Sequence, residues 1–321
     1  MEQLNSTVVT PNVSSSPGPV SWQSTGLAPA VVLSICFLLG VPGNIAVIVL
    51  KPNWQHLSSL SQSLMLNLAV SDLLCLLTLP LWIYTLVYSW TFSVASCKLL
   101  AYIVYCSIYG SLLTVTLLSV QRYLLVVHVQ RCLQNVGSKR LMALLWLVAM
   151  ILSTPSLVVR QPISDEHWTR CEAHYSSDAQ WIAELMTESV VGCVSFCVMA
   201  FAYISLNRKV NKSPFFNNPQ TTRLVTSITV TYFVLWVPYH TVNVLGVAAI
   251  SLKDEGLLMF CMASWNIVGA VTFVNSCVNP VLYAFNSHNM CSVCKRRERS
   301  TLQNPRTLSM TASTTADARL P

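Results

Sequence analysis

Charged side chains are scarce in this sequence of 321 residues, where Asp, Glu, Lys and Arg together make up only 10%. A typical soluble domain carries about 25% charged residues, whereas this chain is 53% hydrophobic, with a mean hydropathy of +0.55. So little charge excludes a water-soluble globular protein, and so much apolar sequence excludes a disordered chain. The composition therefore indicates an integral membrane protein.

The sequence also lacks the short motifs of common enzyme active sites. Its six His residues are scattered, and it contains no zinc-ligand spacing, no phosphate-binding glycine loop and no nucleophile elbow. These absences argue against an enzyme. Paired internal repeats, which are frequent in transporters, are missing too, and a transporter is therefore the weaker alternative. The first 26 residues contain no Lys or Arg, which argues against a cleaved signal peptide.

Seven apolar blocks have the length of a membrane-spanning helix, which needs roughly 20 residues. They lie at 27–50, 61–86, 98–127, 141–159, 181–206, 224–249 and 257–285. The predicted fold class is therefore all-α, a seven-transmembrane helix bundle over residues 27–285. A basic amphipathic stretch at 286–299 predicts a short membrane-surface helix, and the polar residues 300–321 predict a disordered cytoplasmic tail.

The basic residues predict how the bundle is oriented. With the N-terminus outside, 15 of the 19 Lys and Arg residues face the cytoplasm and nine of the 12 acidic residues lie outside, as the positive-inside rule requires. We therefore expect a multi-pass plasma-membrane protein with an extracellular segment 1–26, glycosylated at the sequons of Asn5 and Asn12. The net charge of +7 then belongs to a face beside anionic lipid, and nucleic acid is not an expected partner.

Asp72 lies near the middle of the second block, and an acidic residue inside a span is by default a functional candidate. Polar residues from three other blocks are expected at a similar depth: Asn44, Ser111, Asn275, Ser276 and Asn279. Their oxygens suit a small hard cation such as sodium, or ordered water. A purely structural polar network is compatible with the same residues.

Several short motifs occur at matching places in the seven blocks: Gly43-Asn44, Leu68–Asp72, Gln121-Arg122-Tyr123, Trp146, Trp236-Val237-Pro238 and Asn279–Tyr283. In this order and spacing, over roughly residues 27–300, the chain resembles the rhodopsin-like (class A) G-protein-coupled receptors. The resemblance implies a disulfide between Cys97 and Cys171.

The resemblance also implies a switch at the cytoplasmic end of the bundle. Pro238 and Pro280 lie inside spans six and seven, where proline removes a helical hydrogen bond and favours a kink. In the family, span six moves outward and opens a crevice for a heterotrimeric G protein, and the matching switch positions are Arg122, Tyr203 and Tyr283. Gln121 stands where the family usually has an acid, which predicts raised signalling without ligand.

Within the family, the stretches Ser153–Arg160, Trp236–Asn243 and Ser276–Ala284 resemble the chemoattractant branch, and most of all the leukotriene B(4) receptors. That likeness implies a role in chemotaxis and inflammation, a G protein of the inhibitory type, and no cofactor apart from an allosteric sodium ion. The family's usual partners at the hydroxyl-rich tail are a receptor kinase and an arrestin-type protein. Cys291 and Cys294 are candidates for palmitoylation, with free thiols as the alternative.

The outer halves of spans three to seven predict an apolar pocket with few polar groups, which suits a small amphipathic ligand. By helix phase, the inward residues are Tyr102, Tyr105, Tyr109, Arg160, Glu188, Trp236, Tyr239, His240, Asn243 and Asn266. Arg160 can grip a carboxylate with two parallel hydrogen bonds, which favours a small lipid agonist. Arg160 paired with Glu188, or turned toward solvent, is an alternative reading, and the acidic outer loops leave a peptide chemoattractant as the rival ligand.

Overall fold

The computed structural model describes the backbone of residues 20–51, 58–127, 137–164, 168–210 and 219–302, and the side chains over 27–51, 58–125, 137–164, 168–208 and 223–284. Eight α-helices and one β-hairpin account for most of these residues. The helices are α1 (Val20–Leu50), α2 (Ser59–Leu77), α3 (Leu79–Val87), α4 (Val94–Val127), α5 (Ser138–Val159), α6 (Asp178–Val210), α7 (Pro219–Leu252) and α8 (Glu255–Leu302). The hairpin strands are β1 (Arg160–Ser164) and β2 (Thr169–Ala173).

Seven segments of the described chain are long and apolar enough to span a membrane, as the sequence predicts. They are Leu27–Leu50, Ser59–Val87, Val94–Leu125, Ser138–Val159, Asp178–Arg208, Arg223–Leu252 and Glu255–Ala284. Helices are the expected solution, because each backbone polar group in lipid needs a partner within its own segment. The bundle has two ends. We call the end that carries β1 and β2 the hairpin end, and the other the opposite end.

The second span contains a break that the sequence analysis did not predict. Helix α2 ends at Leu77 and α3 begins at Leu79, with Thr78 between them in a helical conformation. Pro80 has no N–H group to donate within the first turn of α3. The Thr78 hydroxyl donates to the Cys75 carbonyl at 2.7 Å. The second span therefore consists of two helices that meet at Thr78, although its apolar pattern is continuous.

Helix α8 also differs from the prediction. Residues 286–299 are helical, but they continue the seventh span in one helix that runs from Glu255 to Leu302. The backbone therefore has no break at the predicted boundary at 285, since no proline or glycine lies between Pro280 and Leu302 to end the helix.

The core and the surface of the bundle divide the apolar residues in the way a membrane protein requires. The largest buried cluster joins α2, α4, α6 and α7, and includes Leu68, Tyr109, Val115, Met199 and Tyr232. The outward face carries large apolar side chains that are more than half exposed, among them Leu38, Leu39, Ile151, Val194 and Val234. In water this belt would aggregate, and in a bilayer it contacts lipid.

The first and last spans pack with almost no space between them. A Cβ atom at Gly40 would lie 2.9 Å from the Cβ of Cys277, and one at Gly43 would lie 2.8 Å from the Cβ of Pro280. Glycine at both positions therefore permits the close approach of α1 to α8. The side-chain amide of Asn44 adds a hydrogen bond of 2.9 Å to the Ser276 carbonyl.

Candidate functional site

The hairpin fixes the position of Arg160, the first residue of β1. Strand β1 pairs with β2 in antiparallel register, with Arg160 opposite Ala173 and Pro162 opposite Cys171. Cys171 forms the predicted disulfide with Cys97 at the start of α4, with a Cα–Cα distance of 5.6 Å. The hairpin is therefore held over the bundle by a covalent bond, and Arg160 is held with it.

The Arg160 guanidinium packs against the side chain of Tyr105. Its Nη2 donates to the Tyr105 hydroxyl at 3.3 Å, and its central carbon lies 5.8 Å from the centre of the Tyr105 ring. Burial by itself lowers the pKa of Arg160, but the Tyr105 and Tyr175 hydroxyls and the Glu184 carboxylate outweigh it and raise the pKa above its ordinary value. The group is therefore a permanent cation.

Arg160 retains capacity to bind a ligand. Its Nε is buried without a hydrogen-bond partner, and within the described side chains no carboxylate lies within ion-pair distance of it. The alternative that Arg160 pairs with Glu188 is therefore wrong in this structure. A buried donor without a partner costs about 1–3 kcal/mol, which an acceptor on a ligand would offset.

Glu188 belongs to a chain of hydrogen bonds across three spans. Its Oε2 accepts from the Tyr239 hydroxyl at 2.8 Å and from the Asn243 side-chain amide at 2.8 Å. The Asn243 carbonyl oxygen in turn accepts from the Trp265 indole N–H at 2.9 Å. The chain therefore connects α6, α7 and α8 at the hairpin end.

A second acid, Glu184, was missed by the sequence analysis. It is 9% exposed, and its Oε2 has no partner in the described structure. A cavity beside it is lined by Tyr105, Tyr109, Ser153, Ser156, Glu184 and Glu188, among other residues. The spacing of four residues between Glu184 and Glu188 places both on one face of α6, and this is the signal that could have identified it.

Aromatic rings cross the hairpin end above these acids. The Tyr175 and Trp181 rings stack with centroids 5.3 Å apart, and the Trp181 and Trp265 rings lie 5.8 Å apart. A Cβ atom at Gly246 would lie 2.8 Å from the Trp265 ring, so glycine makes room for that indole. These rings belong to α6, α8 and the loop before α6, and they cover the pocket at the hairpin end.

The floor of the pocket is a stack of rings on α7. Trp236 stacks on Tyr232 at 5.3 Å, and His240 lies 5.9 Å from Trp236 and 5.3 Å from Phe196. A Cβ atom at Gly192 would collide with the His240 ring. Neither nitrogen of His240 has a partner among the described groups, so the imidazole is packed as an aromatic ring and both nitrogens remain available to a ligand.

Two residues predicted to face inward do not. Asn266 is exposed, and Trp265 points inward in its place. Consecutive helical residues are 100° apart, so the sequence placed the inner face of α8 one residue too far along the chain. The Tyr102 hydroxyl donates to the Met150 carbonyl of α5 at 3.3 Å, away from the cavity. The prediction of an inward role is therefore wrong for both residues.

Asp72 lies deeper in the bundle and is completely buried. Its two carboxylate oxygens accept from the Ser111 hydroxyl at 2.9 Å and from the Asn279 side-chain amide at 2.7 Å. The side-chain carbonyl oxygens of Asn275 and Asn279 are buried without a partner in the described structure. A small cavity lined by Ser111, Asn275 and Trp236 connects this network to the pocket floor.

At the opposite end, the predicted switch residues occupy different environments. Gln121 is buried, and its amide donates to the Ser58 hydroxyl at 2.9 Å and accepts from the Ser61 hydroxyl at 3.2 Å. Tyr283 is 3% exposed, whereas Tyr203 is 42% exposed on the surface of α6. The structure therefore does not bring Tyr203 and Tyr283 together in a shared buried site.

Four of the predicted modification sites lie where their side chains are not described. Asn5 and Asn12 fall outside the described residues, and Cys291 and Cys294 lie in α8 beyond the part whose side chains are described. Pro238 and Pro280 lie within α7 and α8 as predicted.

Comparison with known proteins identifies the family to which this chain belongs. Residues 43–283 match the model of the 7 transmembrane receptor (rhodopsin family). The chain is 30% identical to human Leukotriene B4 receptor 1 over 285 residues, which cover 85% of this chain and 81% of that protein.

Two other relatives have a similar sequence identity to this chain. G-protein coupled receptor E1 of Equine herpesvirus 2 (strain 86/87) is 32% identical over 81% of this chain and 70% of its own length. Human C-C chemokine receptor type 8 is 30% identical over 86% of this chain and 80% of its own length. Seven spans, the Cys97–Cys171 disulfide and these matches lead to one conclusion: the chain belongs to the rhodopsin family of seven-transmembrane receptors, is a multi-pass plasma-membrane protein and is not an enzyme.

Proposed function

We propose that this receptor binds a small lipid mediator with a carboxylate, of the leukotriene B(4) type, and activates a heterotrimeric G protein of the inhibitory type in chemotaxis and inflammation. The observation that carries the proposal is Arg160, a cation at the hairpin end whose buried Nε has no partner and which forms no ion pair within the described side chains. A guanidinium binds a carboxylate in two parallel hydrogen bonds.

The rest of the pocket suits the remainder of such a ligand. Tyr105, Tyr109 and Leu152 supply apolar surface, and the free oxygen of Glu184 can accept a hydrogen bond from a ligand hydroxyl. Similarity to Leukotriene B4 receptor 1 supports this ligand class. The hairpin end then faces the outside of the cell, and exposed basic residues at the opposite end, including Lys139, Arg140, Arg208 and Arg223, face the G protein.

Activation requires a ligand that favours one arrangement of the helices over another. Glu188 joins α6 to α7 through Tyr239 and Asn243, so a ligand hydroxyl that competes for this carboxylate would change how the two helices are held. Pro238 lies one residue from Tyr239 and leaves α7 without one backbone hydrogen bond. A change at Glu188 is thereby converted into a displacement of the opposite end of α7.

An allosteric sodium ion is part of the same proposal. The residues that would hold it are Asp72, Ser111, Asn275 and Asn279, and the partnerless carbonyl oxygens of the two asparagines fit a hard cation. Bound there, the ion would neutralise the buried carboxylate. A receptor kinase and an arrestin-type protein acting on the tail complete the proposed partners.

Replacing Arg160 tests the proposal. Arg160→Ala should raise the concentration of leukotriene B(4) needed for half-maximal nucleotide exchange by about 10- to 100-fold, because a charge-assisted contact is worth about 1.5–3 kcal/mol. The matched control is Arg170→Ala on the same hairpin, since Arg170 is 45% exposed and pairs with the exposed Glu172. Equal potency of Arg160→Ala and wild type, at equal surface expression, would contradict the proposed ligand contact.

A peptide chemoattractant is the second candidate, favoured by the two buried acids Glu184 and Glu188 and by similarity to chemokine receptors. A basic peptide would depend on those acids more than on Arg160. In a panel of leukotrienes, other oxidised fatty acids and chemotactic peptides, a peptide response that is lost in Glu184→Gln and retained in Arg160→Ala would select this alternative.

A further inference from the structure

Two buried thiols meet between the first and last spans. The Sγ atom of Cys277 on α8 lies 3.8 Å from the Sγ atom of Cys36 on α1, and a second contact of 3.2 Å joins it to the Val274 carbonyl. Cys36 is 2% exposed and Cys277 is 8% exposed. The ligand pocket and the Asp72 network use neither thiol.

We propose that Cys36 and Cys277 form an oxidisable dithiol, which a membrane-soluble hydroperoxide converts into a disulfide between α1 and α8. A disulfide needs the sulfur atoms about 2.05 Å apart and the Cα atoms within about 7 Å. The glycine contact one turn away already brings the backbones together, because a Cβ atom at Gly40 would lie 3.2 Å from the Cα of Cys277. Rotation of the two side chains therefore has only a short distance to close.

The oxidation balances with a hydroperoxide as the two-electron oxidant. One thiol, as its thiolate, attacks the terminal peroxide oxygen, which breaks the O–O bond, releases an alcohol and leaves a sulfenic acid. The second thiol attacks that sulfur, forming the S–S bond and releasing water. Two thiols and one hydroperoxide thus give one disulfide, one alcohol and one water.

The surroundings select an apolar oxidant. Outward residues of α1 next to Cys36 are lipid-facing, with Ile35 51% exposed and Leu38 67% exposed, so the dithiol lies one layer of side chains away from the hydrocarbon. Peroxides that partition into lipid reach this depth, whereas charged oxidants and glutathione remain in water. The modification is therefore directed at lipid-phase oxidation.

The position of the disulfide gives it a consequence for signalling, and this part of the inference rests on the proposed coupling to a G protein. Cys277 precedes Asn279, which bonds Asp72 at 2.7 Å, and Pro280, which packs on Gly43. A covalent bond at 277 fixes α8 to α1 beside these contacts. Rearrangement of α8 on activation is then restricted.

The bond can be detected by cutting the receptor between the two cysteines. A protease site inserted between residues 211 and 218 separates a fragment with Cys36, Cys97 and Cys171 from one with Cys277. After cumene hydroperoxide treatment of membranes and cleavage, the wild-type fragments should migrate together without reductant and separately with it. Cys75→Ser, which removes a neighbouring buried thiol, should behave like wild type, whereas Cys36→Ser and Cys277→Ser should give separate fragments.

Separate wild-type fragments, or joined fragments in Cys36→Ser, would overturn the proposed pair. Agonist-stimulated nucleotide exchange, measured on the same uncut membranes, should fall at least roughly twofold in oxidised wild type and stay constant in Cys36→Ser. An equal response before and after joining would overturn the effect on signalling. A receptor that shows no agonist response before oxidation would refute the proposed function, while electrophoresis would still decide whether the bond forms.

Discussion

Asn243 shows how much one buried amide contributes to the pocket. It is completely buried, donates to Glu188 and accepts from Trp265. Its side chain therefore satisfies two polar groups that water cannot reach. Loss of the amide would leave the indole N–H without an acceptor and remove one of the two bonds to the carboxylate.

We expect Asn243→Ala to lower the free energy of unfolding by about 1–3 kcal/mol, the cost of leaving buried polar groups unpaired. Thermal unfolding of the detergent-solubilised receptor measures this as a lower midpoint temperature. Asn266→Ala is the matched control, because Asn266 is exposed on the neighbouring helix. Equal midpoints for the two variants would show that the hydrogen-bond chain does not stabilise the bundle.

Gln121 is the residue whose consequence is clearest for signalling. Its amide bonds two serines at the start of α2, whereas an acid at this position would attract the adjacent Arg122. A partly exposed ion pair is worth about 0.2–1 kcal/mol. Gln121→Asp should therefore lower nucleotide exchange without ligand by roughly two- to fivefold at most, and equal basal exchange in both forms would contradict the prediction.

At the scale of helices, α6 and α7 depend on a glycine for their contact. The His240 ring occupies the space that a Cβ atom at Gly192 would need, and it also packs edge-on against Phe196. The position of His240, and with it the floor of the pocket, is therefore set by a missing side chain on the neighbouring helix.

Gly192→Ala should destabilise the receptor by about 1–3 kcal/mol, since an added methyl group overpacks a closed interface. Gly269→Ala is the control, because nothing lies within 4 Å of its added Cβ atom. Adding His240→Ala should restore much of the stability lost in Gly192→Ala, as measured by thermal unfolding. If the double variant is as unstable as the sum of the two single ones, the glycine does not act through His240.

The helices were predictable from the sequence and the hairpin was not. Apolar runs bounded by charged residues define the spans, because in lipid every backbone polar group needs a hydrogen-bond partner within its own segment. The hairpin Arg160–Ala173 is short, contains Pro162 and lacks alternation of apolar and polar residues, so no local pattern identifies its strands. The strands are held in place by the disulfide at Cys171 and by the backbone N–H of Trp90, which donates to the Thr169 carbonyl at 2.7 Å.

The pocket was predictable only to the precision of helix phase. Arg160 bonds Tyr105, and Glu188 bonds Tyr239 and Asn243. Tyr105 and Glu188 line one cavity. The sequence predicted that Asn266 faces inward, whereas Trp265 does. Apolar residues cover most of the circumference of α8, so the sequence does not distinguish two neighbouring residues whose side chains point about 100° apart. A uniformly apolar helix gives little information about which side faces its neighbours.

At the scale of the whole molecule, the asymmetry of charge remains the basis for orientation. The exposed basic residues Lys139, Arg140, Arg208 and Arg223 all lie at the end opposite the hairpin. Positive residues are retained on the cytoplasmic side during insertion. We therefore expect the hairpin end, with its pocket, to face the outside of the cell.

Glycosylation provides the measurement of this orientation. Removal of N-linked glycans should increase the electrophoretic mobility of the wild-type receptor and leave the mobility of an Asn5→Gln, Asn12→Gln variant unchanged. An antibody to an N-terminal tag should also stain intact cells, whereas one to a C-terminal tag should require permeabilised cells. Staining of the C-terminal tag on intact cells would reverse the orientation.

The glycines of α1 also affect how the receptor is made. Gly40 packs against Cys277 and Gly43 packs against Pro280. The ribosome adds these two partners more than 200 residues later. The first span to enter the membrane thus keeps an incomplete face, including the Asn44 amide that bonds Ser276, until the last span is inserted. We therefore expect the packing of this face to be complete only after the final helix is inserted, and a chain that stops after six spans to leave it exposed.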